Sequence, residues 1–425
     1  MIDIKQIREN PQTFRDGAKA KGFDVDIDRL LQVDDTLKAA KQQLQDISTE
    51  KNRLGKSIPK ISGDEKQAAL AQLAELKQQE PGLNENIKHL QPEFDALMLL
   101  VAQPADDDVP FGADDTQNVE IRKEGQIRKF DFEPKDHVQL GADLDIIDIE
   151  RGVKLAGTRN YFLKGDGARL HWAVLQFAVD FMTSKGYVPM SVPLLARYEV
   201  MMGTGYYPGS EEQTYQMERD ELSLVGTAEV PVTAYHMGEI LKAEQLPIKY
   251  FALSSCFRRE AGAAGKDTYG LYRIHQFDKV EQVIICKNDA EESTNFHNEI
   301  LANAEGVMQA LELPYRVVNV CTGDLGRGQL KKFDIEAWMP SRKNYCETHS
   351  ASKFHEFQAR RMNLRYKDPA TKKNIFCHTL NNTVIASPRI LIPVLELYQN
   401  SDGSINVPLV LQPYMGGKQK ITKQS

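Results

Sequence analysis

Apolar residues recur every three or four positions between about Asp28 and Met98, first as Leu30, Val33, Leu37, Leu44, Ile47 and Leu54, then as Leu70, Leu73, Leu76, Leu83, Ile87, Leu90, Phe94 and Leu97. A stripe with that spacing stays on one face of an α-helix, while the intervening Lys, Gln and Glu turn the other face to water. Residues 55–64, GKSIPKISGD, separate the two stripes with the Gly and Pro that end one helix and open another. Two helices joined by so short a connection fold back as an antiparallel coiled-coil hairpin, with arms reaching several tens of ångströms at about 1.5 Å per residue. Pro81-Gly82 and Pro92 fall inside the second stripe. A kink or break is expected there, because proline removes a helical hydrogen bond and clashes with the preceding turn.

The pattern then changes. Residues 102–118 are rich in Pro and Asp and read as a linker. Short runs follow at Val119–Ile121, Tyr161–Leu163 and Tyr250–Ser254, which predict strands, and Leu170–Met182 predicts an amphipathic helix. Gly186 should end that helix, and the prolines of GYVPMSVP should bound an edge-like strand. There is no internal repeat, and the basic end GGKQKITKQS is expected to fray. The organisation is therefore α+β, with a helical arm over residues 1–104, a linker over 105–118, a mixed domain over 119–417 and a basic tail over 418–425.

Charge changes the reading of the arm. The chain of 425 residues carries a net charge of -7, which argues against a nucleic-acid partner in general. Between Thr36 and Ile61, however, Lys38, Lys41, Lys51, Arg53, Lys56 and Lys60 face only Asp46 and Glu50, a basic stretch suited to a phosphate backbone. The five cysteines are scattered without a CxxC pair, so neither a disulfide framework nor a zinc site is signalled. The N-terminus has no apolar signal segment and no run of about eighteen apolar residues occurs, so a cytoplasmic protein without a membrane partner is expected.

Candidate chemistry concentrates in residues 256–281, CFRREAGAAGKDTYGLYRIHQFDKVE, two strand-like runs around a Gly/Ala-rich loop. Alternation along a strand would put Arg258 and Glu260 on one face, and Phe277 and Glu281 on one face of the returning run. A guanidinium matches phosphate, a ring stacks on a base and a carboxylate holds an amino group, so the set suits ATP plus an amine-bearing substrate. The plain alternative is a salt-bridged hairpin. Three further stretches carry polar groups in short spacing: Gly226-Thr227-Ala228-Glu229, which also reads as a helix start with a capping threonine; YCETHSASKFHEFQARR, where Glu347 and Ser350 offer the hard oxygens that Mg²⁺ prefers; and HTLNNTVIASPR around Arg389.

The run Phe257–Glu281 resembles motif 2 of class II aminoacyl-tRNA synthetases and is similar to the version found in the seryl-tRNA synthetase family. Pro193 matches the motif 1 proline of that family's dimer interface, and the N-terminal hairpin resembles its tRNA-binding arm in position and length. The resemblance implies an antiparallel class II sheet flanked by helices, ATP and Mg²⁺ as requirements, L-serine and tRNA(Ser) as partners with tRNA(Sec) as a further tRNA, and a homodimer. Carried over residue by residue, it implies Arg258 at the α-phosphate and the substrate carboxylate, Glu260 at the adenine amino group and Phe277 stacked on adenine. Arg259, Ile274, His275 and Gln276 complete that side, and Thr348 and His349 join Glu347 and Ser350 at ATP and metal. Arg389 would hold the γ-phosphate, making Arg258, Glu347 and Arg389 the catalytic set. Thr227, Ala228, Glu229, Glu281, Asn381 and Thr383 would surround serine.

Several positions depart from the family pattern. His349 stands where serine is usual and Lys353 where asparagine is usual. In motif 3, Asn382, Thr383 and Val384 replace Gly-Ser-Gly, and Val384 cannot cheaply adopt the positive φ open to glycine. Those changes keep open an alternative, a catalytically altered paralogue that binds RNA or a regulatory partner, although they read as lineage variation rather than decay. Retention of Arg258, Glu260, Glu281, Glu347 and Arg389 argues against it, because such charges are costly to bury unpaired.

Overall fold

The computed structural model describes residues 1–262 and 267–423, so part of the Gly/Ala-rich loop, residues 263–266, lies outside the described residues. The chain divides into two compact units, residues 2–104 and residues 105–425 together with Met1.

In the first unit, two short helices, Ile4–Glu9 and Pro11–Ala20, precede α1 (Ile27–Ser57) and α2 (Gly63–Leu100). The Asp26 carboxylate caps α1 by accepting from the Arg29 N–H at 2.8 Å. The connection is tighter than the sequence suggests: one 3₁₀ turn, Ile58–Lys60, then Gly63 at φ +62°. The expected break at Pro81 and Pro92 is not found, since α2 is continuous through both. Each proline sits on the exposed side, while Leu83, Ile87, Leu90 and Phe94 on the opposite side stay half-buried in the seam, so packing on either side outweighs the lost hydrogen bonds.

The seam also revises the stripes. Leu70 is 47 % exposed and Ala69 is buried in its place, which gives a regular succession through Leu73, Leu76, Glu80, Leu83, Ile87, Leu90, Phe94 and Leu97. The facing helix runs through Leu30, Val33, Leu37, Ala40, Leu44, Ile47, Lys51 and Leu54. Lys51 and Glu80 thus occupy seam positions, with Nζ 2.8 and 2.7 Å from the two carboxylate oxygens. This removes Lys51 from the free cationic surface expected for it. Arg53 is bidentate to Glu50 at 2.7 and 2.6 Å, and Lys41 donates to Gln91 at 2.9 Å. Lys38, Lys56 and Lys60 are exposed and, among the described residues, unpaired.

The second unit is built on an eight-stranded sheet. Its strands are β1 (Val119–Glu124), β2 (Val188–Met190), β3 (Ile248–Phe257), β4 (Gln276–Cys286), β5 (Tyr315–Asn319), β6 (Lys331–Met339), β7 (Asn344–His355) and β8 (His378–Ser387). Their spatial order is β1-β5-β6-β7-β8-β4-β3-β2, antiparallel except for the edge pair β2–β3. The predicted amphipathic helix forms α3 (Asp166–Ser184), ended by Gly186 at φ +82°, and β2 is the edge strand that follows. With α4 (Ala290–Ala310) and α5 (Leu391–Tyr398) it covers one face of the sheet, enclosing Val280, Ile284, Ile335, Ala351, Leu380 and Val384 in the principal core. The opposite face is left for polar side chains.

Two segments are more ordered than their composition suggests. In the linker stretch, Ala105 and Val109 pack against Val318, Val320 and Leu325. In the basic tail, Lys420–Ile421 pairs with Ile405–Asn406, and Lys418 bonds Asp166 at 2.5 Å; residues 424–425 lie outside the described residues. All five cysteines are free, and among the described residues no helix is long and apolar enough to cross a membrane.

Candidate active site

Strand alternation sorts β4 into two sets. Asp278, Val280, Gln282 and Ile284 face the helices: Asp278 bonds His171 of α3 at 3.0 Å, and Gln282 donates to the Ile300 carbonyl of α4 at 2.9 Å. Phe277, Lys279 and Glu281 face the other way. There, a cavity of about 90 Å³ is lined by Arg258, Glu260, Ile274, Phe277, Lys279, Glu347, Thr348, Ser350, Thr383 and Arg389. It shares Arg258, Glu260, Glu347 and Arg389 with an adjoining cavity of about 380 Å³ that Tyr206, Ser210, Gln213 and Arg273 complete.

Arg258 and Glu260 reach this place by a route other than the one expected. β3 ends at Phe257, so they do not share a strand face; the chain turns out of the sheet and Glu260 adopts φ +52°. A non-glycine residue held there costs about 1–3 kcal/mol, a strain typical of ligand sites. Glu260 accepts from Arg273 Nη1 at 2.7 Å. The Arg258 guanidinium lies 5.2 Å from the Phe277 ring centroid and donates through Nε to the Gly226 carbonyl at 3.3 Å.

On the far wall, Arg389 stacks 4.4 Å from the Tyr272 ring centroid and its Nη1 lies 3.9 Å from the Glu347 carboxylate. Burial works against ionisation of Glu347, but Arg389, Lys332, Arg258 and Arg273 outweigh it and hold the carboxyl below its ordinary range. The pairing of β7 with β6 skips a residue at Thr348, so Glu347, Thr348 and Ser350 all line the cavity. That bulge turns His349 inward. It is 1 % exposed, bonds Thr348 Oγ1 at 2.8 Å, and is kept neutral by burial, which lowers its pKa to about 4. The His349 side chain therefore does not line the cavity.

Three further side chains expected at the nucleotide do not line either cavity. Arg259 is exposed and its N–H donates to the Gln213 carbonyl; Gln276 is exposed; His275 pairs with the Arg258 carbonyl at 3.0 Å and packs edge-on to Tyr215. Lys353 does not line the cavity and is paired with Asp106 at 2.6 Å.

The amino-acid side of the site is more enclosed. Thr227 Oγ1 accepts from the Glu229 N–H at 3.2 Å, but the N-cap of the short helix Glu229–Thr233 is Ala228, so the capping threonine that the local pattern suggests is not found. Ala228 is buried against Val232, Ala252 and Val283. The Glu229 carboxyl accepts from Gln358 at 2.8 Å; burial first, and Glu281 second, raise its pKa to about 7, against the hydrogen bonds of Gln358 and Asn381. Glu281 is 2 % exposed, lies 2.5 Å from Lys279 Nζ and accepts from Thr383 Oγ1 at 3.2 Å.

The departures in motif 3 stay clear of the cavity, Thr383 apart. Between β4 and β8 the register skips at Val384, and this bulge lets Val384 and Ile385 both enter the core without a positive φ. Asn382 points to the helix side, where it accepts from Gln282 at 2.6 Å and donates to the Ser350 carbonyl at 3.0 Å. It thereby braces the strand that carries Ser350. Thr383 alone of the three faces the cavity.

Residues 1–103 match the seryl-tRNA synthetase N-terminal domain, and residues 213–398 match the class II tRNA synthetase core domain (G, H, P, S and T). The serine–tRNA ligase of Deinococcus radiodurans is 44 % identical over 419 residues, covering 99 % of this chain and 98 % of the relative. The chain belongs to the seryl-tRNA synthetase family. Its class II fold also matches the seryl-tRNA synthetase from Pyrococcus horikoshii solved with ATP, at a TM-score of 0.94 and 35 % identity over the whole of both chains. The cytoplasmic enzyme of Naegleria fowleri solved with AMP matches at 0.89 and 31 %, covering 100 % of this chain and 99 % of that one.

Lys279, Tyr206 and Tyr272 are among the cavity residues that the family's motifs do not mark. Lys279 had a signal available, since it lies between Phe277 and Glu281 on their shared strand face.

Proposed function

We propose that this member of the family activates L-serine with ATP and transfers the seryl group to tRNA(Ser). The observation that carries this reading is the convergence of Arg258, Glu260, Phe277, Glu347 and Arg389 on one cleft that adjoins the enclosed pair Glu229 and Glu281. The family's ATP and AMP complexes support a nucleotide in the cleft.

Serine is bound as a carboxylate, so activation needs no general base. One carboxylate oxygen attacks the α-phosphorus in line, the α–β phosphoanhydride bond breaks, and pyrophosphate leaves. Arg258 and Arg389 stabilise the charge that spreads over the phosphoryl oxygens, while Phe277 and Glu260 hold adenine so that the attack is oriented. The terminal ribose hydroxyl of tRNA then attacks the seryl carbonyl and AMP departs. Glu347 and Ser350 present a carboxylate held ionised and a hydroxyl to the same cavity, a hard-oxygen pair that fits Mg²⁺ completed by phosphate oxygens. When bound, that ion would neutralise phosphate charge.

The arm is the proposed tRNA-binding element, with Lys38, Lys56 and Lys60 as the cations still open to phosphate. A homodimer through the motif 1 edge is supported by β2, an unpaired sheet edge whose Val188 is 53 % exposed. The experiment is charging of tRNA(Ser) with labelled serine, beside a tRNA(Ser) lacking its long variable arm. Rapid serylation of the intact tRNA alone is expected; equal charging of both would remove the arm from tRNA selection, and no charging would remove the assignment.

A further inference from the structure

Lys279 is 5 % exposed. Its ammonium lies 2.5 Å from Glu281 Oε2 and donates to Thr383 Oγ1 at 3.4 Å, and the side chain lines the cavity. An ammonium has three donors and no acceptor, so two are taken and one remains for whatever occupies the cavity. Glu281 offers only acceptors. The pair therefore presents an N–H donor and a carboxylate acceptor side by side, in a place where either charge alone would be costly to bury.

Thr383 shows what such a pair reads. Its hydroxyl donates to Glu281 at 3.2 Å and accepts from Lys279, using both halves of the O–H group at once. Among small side chains only a hydroxyl satisfies both; a methyl satisfies neither, a thiol does so weakly, and an ammonium would be attracted by Glu281 but repelled by Lys279.

We propose that Lys279 is a specificity-determining residue that donates its remaining N–H to the side-chain hydroxyl oxygen of the amino-acid substrate, while Glu281 accepts the hydrogen bond which that hydroxyl donates. The proposal rests on the serine-activation reading and adds to it the group that excludes non-hydroxyl amino acids, cationic ones above all.

The test is ATP–pyrophosphate exchange with serine, alanine and 2,3-diaminopropionate, using the full chain and its Lys279→Met variant, with ATP binding followed by calorimetry. The unaltered protein should favour serine over both analogues by roughly 10⁴-fold, because a site built for a hydroxyl leaves polar groups unpaired without it. Lys279→Met should lower serine kcat/KM by about 100-fold, leave ATP binding within about threefold, and gain exchange with 2,3-diaminopropionate, whose side-chain ammonium then replaces the lost lysine beside Glu281. That gain separates recognition from structural damage, which would depress all three substrates and ATP binding together. The proposal is overturned if the variant keeps its serine-to-alanine ratio within about threefold, or if the unaltered protein activates 2,3-diaminopropionate as well as serine. The second outcome needs no variant to fold. Failure of the unaltered protein to exchange with serine would instead remove the serine reading itself, and the proposal with it.

Discussion

Two Lys–Glu pairs, one in each unit of the chain, show how much environment decides what the same chemistry does. Lys51 and Glu80 meet in the coiled-coil seam with side chains each 27 % exposed, while Lys279 and Glu281 meet on the sheet at 6 % and 3 %. In the seam the lysine reaches both oxygens of one carboxylate. The pair there fills positions where the repeat calls for apolar residues, a device that fixes helix register at some cost in stability. On the sheet the lysine divides its donors between a carboxylate and a hydroxyl and still borders an open volume. Each ammonium keeps one donor beyond its two bonds; at the 27 % exposed Lys51 water can take it, whereas at Lys279 it borders a cavity and is poised for a ligand.

The largest effect should come from breaking the buried pair at its acid. Glu281→Ala is expected to reduce serine-dependent exchange by about 10³-fold or more while ATP still binds, because it strands Lys279 and removes the hydroxyl acceptor together. Unchanged serine turnover would contradict the assignment of this pocket.

Glu229 sharpens the contrast, since it belongs to the buried set and titrates near neutrality. Its folded pKa of about 7 lies above the ordinary 4.5, so its contribution to stability is full below 4.5 and is lost as pH rises through 7. Ammonium binding needs the ionised form. The KM for serine should therefore fall by about tenfold between pH 6 and 8, and Glu229→Gln should flatten that profile. A steep profile that survives the substitution would place the titration elsewhere.

The arm's cations give the next test. Lys56→Glu with Lys60→Glu should raise the KM for tRNA several-fold and reduce the salt slope of tRNA binding by about 1 for each phosphate no longer neutralised, leaving exchange untouched. Lys51→Gln should change tRNA binding much less, because its charge is already spent on Glu80. Equal effects at Lys51 and Lys56 would show that the seam assignment misplaces Lys51. The smallest effect is expected from replacing the seam pair by Lys51→Leu and Glu80→Leu, which should stabilise the hairpin by about 1 kcal/mol in thermal melts without altering exchange.

The hairpin is legible in the sequence because apolar side chains mark helical phase, yet the same criterion cannot see Lys51 and Glu80, which hold seam positions with charges. It also favours Leu70 over Ala69, as hydrophobicity outranks a small residue until the neighbouring helix is in place. Phe277 and Glu281 are legible from strand alternation, and so is Lys279 between them. His349 is not, because the bulge at Thr348 reverses the parity of the residues that follow it in β7 and leaves no mark in composition. Val384 follows the same rule: a second bulge accommodates it where a glycine at positive φ would otherwise be expected. Glu260 reaches its place through a left-handed turn that strand counting cannot supply.

The central claim is that the cleft remains a serine-activating site although motif 3 departs from its family, because Asn382 and Val384 point away from the cavity. ATP–pyrophosphate exchange with Mg²⁺ and serine, threonine, alanine or cysteine tests it most directly. Exchange with serine alone is the predicted result; silence with all four amino acids would contradict it and leave the RNA-binding paralogue as the better description.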